Sequence, residues 1–257
     1  GYQMARKGRA GAALAIAALG SFFAGTVSTI ALAVAGPTLS SFALSFGPAE
    51  YVALCIFGLL AATILAHGSV VKAIGMVCLG LVLGMVGIDV NSGSARMTFG
   101  STDLYDGIEF VVIAVGLFGI AEIATNLESK EVRGVLQSKI GRLWPTREEF
   151  KESWGAVLRG TGVGTILGVL PGGGATLSAF SAYSVEKRMS KTPEKFGHGA
   201  IAGVAGPEAA NNAGAPSSFI PLLTLGIPSN SIMAMMLGAM TIHGITPGPS
   251  VIQDQPG

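Results

Sequence analysis

The stretch Gly168-Val-Leu-Pro-Gly-Gly-Gly-Ala-Thr-Leu-Ser178 decides the fold. It lies inside an apolar run from Gly160 to Val185. Pro171 has no N–H to give a helix, and its ring clashes with the turn before it. Gly172, Gly173 and Gly174 each weaken a helix by about 1 kcal/mol relative to Ala. The flanks, Thr161 to Leu170 and Ala175 to Val185, both carry helix-forming sequence. Two half-helices therefore meet at a non-helical tip. A lone proline would leave a kinked, buried helix as the plainer reading; three consecutive glycines favour the tip. At membrane depth such a tip is tolerated only where it is buried in protein or lines a water-filled cavity.

Working outward, composition names the solvent. Half of the 257 residues are hydrophobic, 12% are charged and the mean hydropathy is +0.60. A soluble domain carries about twice that charge. Glycine is abundant, 38 residues, as in membrane helices that pack closely. A net charge of +1 argues against a nucleic-acid partner. Cys55 and Cys78 lie in apolar runs and suggest neither a disulfide nor a metal site. The chain is read as an integral membrane protein in a lipid bilayer.

Four spans are expected before residue 128: Gly11 to Ala35, Ala49 to Ala66, Val70 to Ile88 and Gly107 to Leu127. Ala33-Val-Ala35 also fits a signal-peptidase site, but the apolar part is long for a signal peptide. Gly36 to Pro48 reads as a loop with short helical pieces, and Asp89 to Asp106 as a polar loop. Glu109 falls at an interface; Glu122, deeper, snorkels or caps. Residues 128–153 and 186–195 are rich in Lys and Arg. Cytoplasmic loops carry such an excess, so the N-terminus and both basic stretches are placed inside. A re-entrant hairpin over 160–185 keeps both flanks there. Each arm is about 11 residues, or roughly 16 Å, half a bilayer.

Gly197 to Pro216 holds too many breakers for a regular helix. Within it Glu208, Asn211 and Asn212 are candidate ion or substrate contacts, with caps at a water interface as the alternative. Ser217 to His243 spans again but breaks at Gly226-Ile-Pro-Ser-Asn-Ser231. Ser229, Asn230 and Ser231 are also good N-cap residues for the second arm.

Helix N-termini at Ala175 and Ser231 then meet at one depth, where free N–H groups attract anions. Carbonyls at Leu170 and Leu225 suit a cation. Secondary transporters are built this way. The candidate substrate site is Pro171, Gly172, Gly173, Gly174 and Thr176 with Ser229, Asn230 and Ser231. A phosphate loop is excluded by the missing Lys and strand, and His67, His198 and His243 are far apart. No catalytic residues are visible, so an enzyme is not expected. The fold class is all-α integral membrane: transmembrane helices plus a re-entrant helical hairpin and a broken helix. Residues 1–153 form four transmembrane helices and a cytoplasmic linker; 154–257 hold the hairpin and the discontinuous helix. A channel-like pore, or a structural subunit without a substrate site, remain the rival readings.

Several motifs resemble one family. They are Gly168-Val-Leu-Pro-Gly-Gly-Gly-Ala175, Phe180-Ser-Ala-Tyr-Ser-Val-Glu-Lys187, Gly206-Pro-Glu-Ala-Ala-Asn-Asn-Ala213, Leu225-Gly-Ile-Pro228 and His243-Gly-Ile-Thr-Pro-Gly-Pro249. Together they are similar to the large membrane subunit of tripartite tricarboxylate transporters, the TctA family. The resemblance implies a multi-pass carrier in a bacterial inner membrane. It would take organic carboxylates, tricarboxylates or their relatives, from a periplasmic solute-binding protein and work with a small membrane subunit. It implies no cofactor and admits a coupling cation, sodium or proton, with uptake driven by an ion gradient. Family members are about twice this length and carry an earlier Leu-Pro-Gly copy in an inverted first half. No such copy precedes Leu170, so the chain reads as an interior fragment.

Overall fold

A computed structural model of the chain describes residues 1–65, 69–89, 92–128, 142–170 and 174–254. It is mostly helical. In chain order, α1 is Tyr2–Arg6, α2 Ala10–Ala43, α3 Pro48–Leu65 and α4 Val70–Gly84. A two-residue hairpin follows, β1 Gly87–Ile88 paired antiparallel with β2 Ala95–Arg96. Next come α5 Phe110–Ala114, a π-helical stretch Val115–Ile120 and α6 Ala121–Glu128. The rest is α7 Arg147–Val169, α8 Gly174–Met189, α9 Ala202–Ser217, α10 Phe219–Leu225, α11 Ser231–Ile242 and α12 Val251–Asp254.

Contacts divide the chain into two units, one of residues 1–45, 131–230 and 248–257, the other of 46–130 and 231–247. In the second unit α3, α4 and the α5–α6 run are apolar helices, and α11 packs on α5. The polar loop folds on itself there. Asp89 accepts from the Ser92 N–H at 2.9 Å and pairs with Arg96 at 2.8 Å.

The first unit is built around α9, which packs against α2, α7 and α8. This corrects one expectation: Gly197 to Pro216 was read as irregular, yet residues 202–217 form a helix through Pro207 and Pro216. The reason is burial. Ala205, Gly206, Ala209, Ala210, Ala213 and Gly214 are buried, and their small size lets three helices close on this one. Tertiary packing overrides the weak propensity of the sequence. α2 departs in the same way, running through Pro37 to Ala43 where a loop from Gly36 was expected. Its last turns are buried at Gly36, Ser40 and Ala43, and the Ser40 hydroxyl donates to the Pro249 carbonyl at 2.8 Å. α4 stops at Gly84, short of the expected Ile88, because Gly87 turns with φ +125° into the hairpin.

α7 is 23 residues and α8 16, longer than arms of 11. Part of the extra length is polar: α7 starts in sequence read as linker. A capping box starts it, Thr146 accepting from the Glu149 N–H while Glu149 accepts from the Thr146 N–H. Arg9 also donates to Glu149, at 2.7 Å.

The α7–α9 contact is a ladder of small residues. A β-carbon on Gly160, Gly164 or Gly168 would overlap the carbonyl oxygens of Gly206, Ala210 and Gly214 in turn. Such close approach is the packing mode of membrane helices. Burial is arranged accordingly. The core of the first unit is mostly alanine, with Met4, Ile16 and Ile201 as its larger members, while Phe22, Ile166 and Phe180 are each more than 65% exposed. Small residues inside and large apolar ones outside suit a lipid solvent better than water. α2 and the Phe110–Glu128 run are long and apolar enough to cross a membrane. α4 and α11, and the described apolar stretch of α3, are shorter.

Candidate functional site: two helix interruptions in contact

The interruption between α7 and α8 and the break between α10 and α11 both occur where the sequence places them. Pro171, Gly172 and Gly173 lie outside the described residues. Gly174 opens α8 in the left-handed region, φ +73°, where only glycine sits without strain. A β-carbon there would stand 2.8 Å from Nδ2 of Asn230. The two sequence-predicted loops, far apart in the chain, thus meet at the Gly174–Asn230 contact.

Ser218, which the sequence reading missed, holds this meeting point. It is fully buried at the α9–α10 junction. Its hydroxyl lies 2.8 Å from the Gly214 carbonyl and 3.2 Å from the Gly168 carbonyl at the end of α7. It accepts from Asn230 Nδ2 at 3.2 Å, and its own carbonyl accepts from the Ser229 hydroxyl at 3.4 Å. One hydroxyl therefore touches α7, α9 and the break loop. A serine in an apolar helix joint carried no signal beyond its neighbours Ser217 and Pro216. Gly226, φ +71°, ends α10 and turns the chain into that loop.

The remaining candidates separate. Thr176 is exposed on α8, two residues beyond Gly174, while Ser178 is buried and bonds the Gly174 carbonyl at 2.7 Å. Ser231 is exposed and opens α11 in the second unit. Glu208 and Asn212 are not at the break. They form a cluster with Ser21 of α2: the Ser21 hydroxyl donates to Glu208 Oε1 at 3.0 Å, and Asn212 Nδ2 lies 3.1 Å from Oε1 and 2.9 Å from Ser21 Oγ. Asn211 is half-buried one residue away and joins neither group among the described residues.

Sequence reasoning also passed over Arg159 and Glu186. Glu186 stood at the start of a basic stretch; its carboxylate is instead 3% exposed and takes two parallel bonds of 2.7 Å from the Arg159 guanidinium. Its chain packs on Gly206 of α9. The pair ties α7 to α8 below the interruption in bidentate geometry, the strong form of such a pair.

A helix bundle closed through glycine contacts, with large apolar side chains outside and two helix interruptions in contact, suits a membrane setting. The chain belongs to the tripartite tricarboxylate transporter TctA family, whose family model matches residues 1–257. It is 60% identical over 256 residues to a protein of Agrobacterium vitis described as an uncharacterized 52.8 kDa protein in the TAR-I ttuC' 3'region. The match covers 100% of this chain and 51% of that relative, so the chain spans about half its length. A second Agrobacterium vitis protein, described as an uncharacterized protein in the TAR-II ttuC' 3'region, is 66% identical over 93 residues, 36% of this chain and 38% of the relative. No solved structure matches the chain.

Proposed function

We propose that the chain is part of the permease subunit of a secondary transporter that takes up tricarboxylates or related organic carboxylates across a bacterial inner membrane. In this reading it is multi-pass and belongs to an inverted-repeat fold. Residues 154–257 supply a re-entrant hairpin and a discontinuous helix. A periplasmic solute-binding protein delivers the substrate, a small membrane subunit completes the assembly, and an ion gradient drives accumulation.

The observation that carries the reading is the contact between Gly174 and Asn230. It brings the N-terminus of α8 and the break loop to one place. A carboxylate there would meet free N–H groups at the start of α8 and the neutral donors Thr176, Ser229 and Asn230. Gly172 and Gly173 carry no side chain that would bar a ligand from the backbone. Neutral donors and a helix dipole hold an anion without a full opposing charge, which favours release. Asn230 Nδ2 donates to the Ser218 and Ser229 hydroxyls at 3.2 and 3.4 Å.

The test is uptake of radiolabelled tri- and dicarboxylates by vesicles holding the intact carrier and its partner subunits. Asn230→Ala should keep the fold and lose about 1–3 kcal/mol of substrate affinity. Ion-driven uptake of no carboxylate by the unaltered carrier would sink the reading. Unchanged affinity in a folded Asn230→Ala carrier would remove the side chain from the site.

A further inference from the structure

The Ser21–Glu208–Asn212 cluster lies along the α2–α9 contact, away from the break. Among the described residues the ion pairs are Arg9–Glu149, Arg96–Asp89 and Arg159–Glu186. Glu208 has none. Two neutral donors, the Ser21 hydroxyl and the Asn212 amide, converge on its Oε1. α2 carries no ionisable side chain anywhere between Ala10 and Ala43, and α10 none at all. On α7, Arg159 is committed to Glu186 of α8, while the charges from Arg147 to Glu152 lie in the first two turns. Lys187 and Arg188 are exposed at the end of α8. A carboxylate between apolar helices without a cationic partner is costly at membrane depth, and such groups mark ion paths.

We propose that Ser21, Glu208 and Asn212 form the binding site for one monovalent cation, a sodium ion or a proton, that neutralises Glu208 during the transport cycle. The chemistry is present for either. Glu208 offers its carboxylate, and Ser21 its hydroxyl oxygen; hard cations take such oxygen ligands. Asn212 supplies the exchange. With Nδ2 inward it donates to the bare carboxylate, as seen here at 3.1 Å. Turned over, it presents Oδ1 to a cation or to a protonated carboxyl. The site also stands on the helix that reaches the substrate loop. Glu208 precedes Ser218 by ten residues along α9 and its junction, about 15 Å, and Ser218 holds Asn230. Between them the Ser28 hydroxyl bonds the Ala213 carbonyl and the Ser217 hydroxyl, both at 2.7 Å, and ties α2 to α9.

The role in transport rests on the carrier reading above, but binding is measured without transport. Purified intact carrier in lipid vesicles, with no carboxylate present, is tested for saturable binding of radioactive sodium and, separately, for proton uptake after an acid pH jump. One of the two should be lost in Glu208→Gln, which keeps the shape and the hydrogen bonds. Loss of sodium binding identifies the ion as sodium; loss of one proton taken up per carrier identifies it as a proton. Ser21→Ala, a milder change, should weaken sodium affinity up to about tenfold, the equivalent of one hydrogen bond, or shift the pH of proton uptake. Sodium binding and proton uptake both unchanged in folded Glu208→Gln and Ser21→Ala would overturn the proposal. Cation binding that follows Glu208, with no carboxylate uptake in any form, would retain this site and reject the carrier reading instead.

Discussion

Gly168→Ala tests the helix ladder on which the site stands. The added methyl would lie 2.5 Å from the Gly214 carbonyl oxygen and 2.8 Å from both Gly214 Cα and Ser217 Cβ. Ordinary contact begins near 3.4 Å. The obstacles are two backbone atoms and a short side chain, so no rotamer change relieves them. α7 and α9 must move apart by about 1 Å. Overpacking of this kind costs about 1–3 kcal/mol, a large share of a marginal stability of about 5–15 kcal/mol. The same movement lengthens the bond from Ser218 to the Gly168 carbonyl, now 3.2 Å. Gly162→Ala is the internal control. It lies on the same helix, with open space around its β-carbon position, and should stabilise by about 0.5–1 kcal/mol through helix propensity. Equilibrium unfolding of both variants in mild detergent separates the signs. A Gly168→Ala protein as stable as Gly162→Ala would mean that the ladder is looser than described, and the close-packing argument would fall with it.

Other outcomes follow from the same geometry. Arg159→Met leaves the buried Glu186 carboxylate without its partner and should cost about 3–5 kcal/mol; Glu186→Gln, which leaves the half-solvated Arg159 side free to face water, should cost less, as read by thermal unfolding. The Thr146 backbone N–H, then the Arg9 guanidinium, hold the Glu149 carboxyl below its ordinary value, against burial acting the other way. A depressed value stabilises the fold above the ordinary carboxylate range and is lost as pH falls through it; Glu149→Gln should therefore flatten the acid limb of a stability-against-pH curve. For topology, Lys151→Cys and Lys191→Cys, both at exposed positions, should react with an impermeant reagent from the same side of sealed vesicles. Reaction from opposite sides would mean that the segment around Pro171 crosses.

The interruptions were legible because proline and glycine weaken a helix locally: α7 ends just before Pro171 and its glycines, and α10 ends at Gly226, two residues before Pro228. The helix of residues 202–217 was not legible for the complementary reason. Its glycines and prolines look like breakers in sequence, and only three neighbouring helices turn their small size into an advantage. Pro37 in α2 misled in the same way. Glu208 and Asn212 stood out as polar residues among apolar ones, but their separation from the break needed the helix between them. Ser218 and the Arg159–Glu186 pair depend on contacts between distant segments, and no local pattern announces them.

The ladder between α7 and α9 fixes how near the two helices lie, but it does not by itself fix where along each other they stop. Its rungs on α7 repeat every four residues, at Gly160, Gly164 and Gly168. A slide of one rung, about 6 Å, would set glycine against the same kind of surface again. Helix faces without side chains offer few teeth to catch. What indexes the slide is polar: the Ser218 hydroxyl on the Gly168 carbonyl, and Arg159 clasping Glu186 while Glu186 seats on Gly206. The bundle thus works as a smooth rail with two latches, and one of the latches is the residue that holds Asn230.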